Sequence, residues 1–215
     1  EDFERWCRPH PCDEKGALLL NEANGARLKD SLALSEAAAD PFLTDLARYY
    51  WGKPIFLAQA AGLRLEPYEP ESYGPFRWHH DGKRKQVKVM ILLTDVRTDG
   101  QRMDYLPGTH TIWHRFQRGE AGYEETRFSD AAVARYGEPL RCCGPAGTVV
   151  LFDTNGLHRG NRNHGPSRDV WVNQYTAGFH LFPLSGVHAS LLPRFSREQR
   201  RLLRVKARYP ASARR

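Results

Sequence analysis

The period of hydrophobic and polar positions changes near residue 55. Ahead of it the spacing is helical. Residues 31–39 are rich in Ala and Leu, Asp40-Pro41 offers a side-chain cap followed by a proline at the first helical position, and Phe42, Leu43, Leu46 and Tyr49-Tyr50 recur at near-helical spacing. These signals predict helix through about Trp51. From Ile55 onward, short β-branched and aromatic stretches broken by Gly and Pro take over. They predict strands over 55–67, 76–80, 86–94, 103–106, 140–143, 148–152 and 169–178, with short helices over 129–136 and 197–206. A mainly β chain with flanking helices fits a jelly-roll barrel, which stacks two antiparallel sheets and leaves a lined mouth for a site.

Length and composition narrow this picture without altering it. The 215 residues suit one domain, with the core at about 55–178, and no repeat or low-complexity linker divides them. The longest apolar runs, 89–93 and 149–152, fall far short of the ~20 residues of a membrane span. The opening EDFERW is neither basic nor apolar, so the expected location is cytoplasmic, and four cysteines are too few for a disulfide scaffold and are read as thiols. Cys7, His10 and Cys12 suggest half of a zinc site, but no second ligand pair lies at suitable spacing. The formal charge of +7 is concentrated in residues 194–215, where nine of the 32 Lys and Arg stand against one acid, Glu198. This basic C-terminal tail is read as a solvated terminus, open to weak contact with an anionic partner, and not as a nucleic-acid-binding arm.

The chemistry sits in two segments. PFRWHHDG places His79 and Asp81 two apart at the end of a predicted strand, where alternation puts both on one face. GTVVLFDTNGLHRGN presents His158 just beyond another apolar strand. Two imidazoles and one carboxylate form a facial triad that holds iron(II) on one side and leaves positions open for a bidentate keto acid and O2. Arg168, ten residues past His158, is placed to grip the far carboxylate of that keto acid with its planar fork.

In these motifs the chain resembles the phytanoyl-CoA dioxygenase-like family of iron(II)/2-oxoglutarate oxygenases. The resemblance covers about 55–178 and runs through WHHD, VKVMILLTDV, GQRMDYLPGTH, GTVVLFD and HRGN followed by Arg168. It implies a double-stranded β-helix, iron held by His79, Asp81 and His158, and the 2-oxoglutarate C5 carboxylate held by Arg168. LPGTH is similar to the family's PGSH-type turn, with Thr109 for serine. Halogenating relatives carry a small residue where Asp81 stands, so the carboxylate points to hydroxylation-type chemistry. Some relatives also place a serine two residues after the distal histidine to contact the keto acid. This chain has Gly160 there, leaving Thr94, Gln59 or Arg64 as replacements between which the sequence does not choose.

Neighbouring residues are given plainer roles. His80 should face away from His79 and Asp81; His110 and His114 frame a turn; His164 is a rival to His158 but fits the spacing to Arg168 less well. Lys83, Arg84 and Lys85 read as a solvated turn that could steer an acidic substrate or a carrier phosphopantetheine. Arg102 and Asp104 share a strand face and are the leading substrate contacts, followed by Arg64 and Trp78, then Tyr68 and Trp171. The expected activity is hydroxylation of a small polar or natural-product-like molecule with release of succinate and CO2, with desaturation or ring formation open to the same chemistry. The competing reading is a cupin-like metal binder that turns nothing over, and Arg168 is the residue such a protein would not need.

Overall fold

The computed structural model describes residues 2–21, 28–68, 74–81, 86–111, 127–177 and 186–203. The helical part comprises α1 (Asp2–Cys7), α2 (Leu32–Ala39) and α3 (Pro41–Trp51), with strand β1 (Ala17–Leu20) between the first two. Asp40 accepts the Leu43 N–H at 3.0 Å and so caps α3, while Ser31 caps α2 through the Leu34 N–H at 3.2 Å. Each side chain satisfies an amide that the first turn leaves open. Gly52 closes α3 in the left-handed region, φ 57°, donating to the Arg48 carbonyl at 2.8 Å.

Beyond residue 55 the strands are β2 (Ile55–Leu65), β3 (Trp78–His79), β4 (Gln86–Leu92), β5 (Met103–Tyr105), β6 (Arg127–Phe128), β7 (Leu140–Cys142), β8 (Val149–Asp153), β9 (His158–Gly160) and β10 (Arg168–Ala177). The short helices are α4 (Asp130–Val133) and α5 (Arg197–Leu202). One sheet runs β1-β2-β10-β4-β8 and the other β6-β3-β9-β5-β7, antiparallel throughout. This is the expected double-stranded β-helix. Of its strands, β1, β6 and β9 lie outside every predicted range: each has four residues or fewer, too few to display alternation.

Alternation sorts the larger sheet into two faces. Leu57, Val87, Val89, Trp171 and Tyr175 pack with Leu34, Ala38, Leu43 and Ala47 of the helices. Trp171 Nε1 donates to Asn173 Oδ1 at 3.0 Å, and Asn173 Nδ2 donates to the Ala37 carbonyl at 2.9 Å, tying α2 to the sheet. On the opposite face Met90, Leu92 and Val170 meet Met103 and Cys142 of the smaller sheet. Trp171 therefore belongs to the helix-side core, away from any cavity between the sheets.

The first part of the basic terminus is built into the fold, where the sequence suggested a solvated tail. Phe195, Leu202 and Leu203 are buried in the helix-side core, Ser196 and Gln199 form a reciprocal capping box, and Gln199 Nε2 donates to the Ala39 carbonyl at 3.1 Å. Residues 194–203 are thus part of the fold, and the rest of the tail lies outside the described residues. No helix among the described residues is long and apolar enough to cross a membrane.

Candidate metal centre

His79 and His158 stand directly opposite each other on the antiparallel pair β3 and β9, with ring centroids 4.3 Å apart. Asp81 follows β3, its backbone N–H bonded to the Thr154 carbonyl at 3.0 Å. Its Oδ1 lies 3.4 Å from His79 Nε2 and 3.6 Å from His158 Nε2, and the three ligand atoms lie within 4.8 Å of one another. A divalent ion with bonds of about 2.1 Å brings adjacent donors to about 3 Å, so small side-chain movements close this set around one ion. The other ring nitrogens fix the orientation: His79 Nδ1 donates to the Arg77 carbonyl at 2.8 Å and His158 Nδ1 to the Gly156 carbonyl at 2.9 Å. Both Nε2 atoms are thereby turned towards Asp81.

Burial alone would raise the Asp81 carboxyl, but the two imidazoles and the Lys88 ammonium outweigh it and hold the group well below the usual carboxylate range. Burial pushes the His158 imidazole down. Both ligands are therefore deprotonated at neutral pH, the state a metal requires. Lys88 Nζ lies 2.6 Å from Asp81 Oδ2, leaving Oδ1 to the imidazole side.

A cavity of about 500 Å³ opens between the sheets beside this cluster, a volume suited to one or two small molecules. Its larger-sheet wall is built in rungs. Leu65 pairs with Arg168 at one end, Ala61 with Val172 and Met90 in the middle, and Gln59 with Gln174, Lys88 and Phe152 at the other end. Arg168 is 4% exposed, and its Nε and Nη1 have no hydrogen-bond partner. Desolvation, with a smaller contribution from Arg162, pushes its pKa down to about 10. A buried guanidinium with open N–H groups on a cavity wall is chemically complementary to a carboxylate.

The remaining predicted residues lie elsewhere. Gln59 lines the cavity, whereas the Thr94 hydroxyl accepts the Asp169 N–H at 3.0 Å and Thr94 is not among the lining residues. Arg64 is paired with Asp169 at 2.7 Å and with Glu4, on the outer face of β2. Arg102 and Asp104, the leading substrate contacts by sequence, are bonded to each other at 2.8 Å. Asp104 is 1% exposed and also accepts Arg159 and Asn161, because β5 turns Met103, and not Asp104, to the cavity. Trp78 alternates away from His79, donating to Asp130 at 2.7 Å beneath the Arg159 guanidinium. Tyr68 packs against Arg162. Arg102, Asp104, Arg64 and Trp78 thus all occupy faces turned from the cavity, and neither Tyr68 nor Trp171 lines it.

His80 is buried with its ring against Phe128, and His110 and His164 stand outside the cluster. Lys83, Arg84, Lys85 and His114 lie outside the described residues. Sequence reasoning missed Lys88 and Gln174, although a lysine inside the run VKVMILL is itself a signal. At Gly160 an added Cβ would lie 2.8 Å from the Phe76 ring, so the aromatic fills the space a serine side chain would take.

A jelly roll with two histidines and one carboxylate converging beside a cavity defines a class of metal-centred β-barrel proteins. A family model described as phytanoyl-CoA dioxygenase (PhyH) matches residues 13–170, and the chain belongs to that family. It is 27% identical to an ectoine dioxygenase of Stutzerimonas stutzeri over 65% of this chain and 52% of that protein. It is 23% identical to an L-proline trans-4-hydroxylase of Streptomyces griseoviridis over 78% of this chain and 71% of that protein. The chain therefore spans about half the length of the ectoine dioxygenases it matches. Among solved structures, HygX from Streptomyces hygroscopicus, with nickel and 2-oxoglutarate bound, aligns over 87% of this chain and 85% of its own, at 16% identity and TM-score 0.55. EctD from S. alaskensis with bound Fe aligns over 79% and 59%, at 20% identity and TM-score 0.55.

Proposed function

We propose that the protein is an iron(II)/2-oxoglutarate-dependent oxygenase that hydroxylates a small polar molecule. The reading rests on one observation above all: the His79, Asp81 and His158 cluster shares a cavity with a buried Arg168 whose N–H groups are open. His79, Asp81 and His158 would hold the metal, and Arg168 would hold the C5 carboxylate of 2-oxoglutarate. When bound, this centre supplies the oxidising chemistry that couples conversion of 2-oxoglutarate and O2 into succinate and CO2 to hydroxylation of a substrate C–H bond. The protein's contribution is to orient and to exclude water. The wall of Ala61, Val172 and Met90 between Arg168 and the metal cluster gives the keto acid's methylene chain an apolar bed.

The relatives named for ectoine and L-proline support a small, polar substrate, which the cavity volume fits. The four cysteines are free, in keeping with a reducing, cytoplasmic location. A metal-binding protein without turnover has no use for Arg168, whose burial without a partner is unfavourable. Succinate formation from 2-oxoglutarate, with iron(II) and ascorbate present and O2 admitted or withheld, tests the reading. Oxygen-dependent succinate that rises with an added substrate supports it, and 2-oxoglutarate left intact under every condition refutes it.

A further inference from the structure

We propose that Lys88 is the specificity-determining residue of the cavity, binding a carboxylate on the prime substrate. This rests on the oxygenase reading and narrows its substrate class to small carboxylic acids, amino acids included.

The rungs of β10 divide the cavity lengthwise. Arg168 and Gln174 both face inward and stand six residues apart, about 20 Å along the strand. The metal cluster lies towards the Gln174 end, because Lys88, paired with Gln174 across the sheet, reaches Asp81 at 2.6 Å. A keto acid held by Arg168 and extending to the metal covers Val170, Val172 and Met90. The polar rung of Gln59, Gln174 and Lys88 then lies beyond it, where a second molecule must sit to reach the metal.

Among the described residues lining the cavity, the cations are Arg168 and Lys88. With Arg168 given to the keto acid, Lys88 is the positive group left for the substrate. An ammonium carries three donors, and Asp81 takes one of them. The carboxamides of Gln59 and Gln174 make no side-chain hydrogen bond among the described residues. One ammonium beside two neutral amides suits a single carboxylate; a phosphate would call for more positive charge.

Lys88 sits on a central strand between Val87 and Val89, both fully buried on the helix side, so its backbone is fixed. If its task were only to support Asp81, its removal should weaken metal binding. If it binds substrate, removing a cation from beside the metal should leave metal uptake intact.

The test is calorimetric titration of protein loaded with redox-inert zinc(II) and 2-oxoglutarate, using linear and cyclic amino acids, each beside its primary amide. In the wild type, carboxylates should bind about tenfold or more tightly than their amides. In Lys88→Gln the preference should shrink to within about twofold, with zinc content and 2-oxoglutarate affinity retained. A panel without carboxylate preference, a preference that survives in Lys88→Gln, or loss of zinc in that variant overturns the assignment. A wild-type protein that takes up no 2-oxoglutarate is a different failure, striking the oxygenase reading and this inference together.

Discussion

Arg168 shows how one buried side chain can trade stability for binding. Without an anion, its partnerless Nε and Nη1 carry the desolvation penalty of a buried cation, and the depressed pKa reflects it. Arg168→Met should therefore raise the melting temperature of the metal-free protein, by the equivalent of about 1–3 kcal/mol. The same change should weaken 2-oxoglutarate by about 2–5 kcal/mol. Thermal unfolding with and without 2-oxoglutarate checks both signs, and a variant less stable than wild type without ligand would count against the account. The metal ligands add a pH dependence. His158 and Asp81 both hold protons more weakly when folded than when unfolded. Their stabilising contribution is thus present above the unfolded values and is lost as pH falls, through the histidine range below about 6.5 and the carboxylate range below about 4. The melting temperature of metal-free protein should drop from pH 7 to pH 5 and again below 4, and His158→Leu should flatten the first limb. The juxtaposition of His79 and Asp81 could be read from two-residue alternation alone. The same alternation turns Trp78 away from His79. The faces of Arg102, Asp104 and Arg64 could not be read so, because which side of each strand meets the cavity is decided by how distant strands pair.

Among the elements, the turn before residue 112 acts at a distance from its own sequence. The Thr109 hydroxyl donates to the Leu106 carbonyl at 2.7 Å and accepts the Leu157 N–H at 2.8 Å, one residue ahead of His158. The LPGTH turn thus aligns β9, which is only three residues long and has few ladder bonds of its own. Thr109→Val keeps the side-chain shape but leaves a buried amide without a partner, at a cost of about 1–3 kcal/mol. Chemical denaturation should show that loss, metal affinity should fall with it, and Thr109→Ser should restore both. A Thr109→Val protein with unchanged metal affinity would separate the turn from the site. The longer strands and the capped helix α3 were legible because alternation and capping are local. The short strands β1, β6 and β9 depend on partners far along the chain.

For the molecule as a whole, the basic C-terminal stretch is packed into the fold over residues 194–203. The charge concentrated in residues 194–215 suggested a solvated tail, but Phe195, Leu202 and Leu203 bury apolar surface that composition alone does not place. Deleting the chain from residue 194 removes three core side chains, each worth about 2–5 kcal/mol, which approaches the whole stability of a domain. That truncation should fail to yield folded protein, as circular dichroism would show. A folded, cooperative protein lacking residues 194–203 would contradict the packing described.

The central claim is that His79, Asp81, His158 and Arg168 assemble one iron(II) and 2-oxoglutarate site. It is tested most directly by adding iron(II) to protein and 2-oxoglutarate without oxygen while recording the visible spectrum. The weak charge-transfer band of a chelated keto acid should form in the wild type and in His80→Ala, and should be absent from Asp81→Ala and His158→Ala. No band in the wild type, or a band that survives the loss of Asp81 or His158, would contradict the claim.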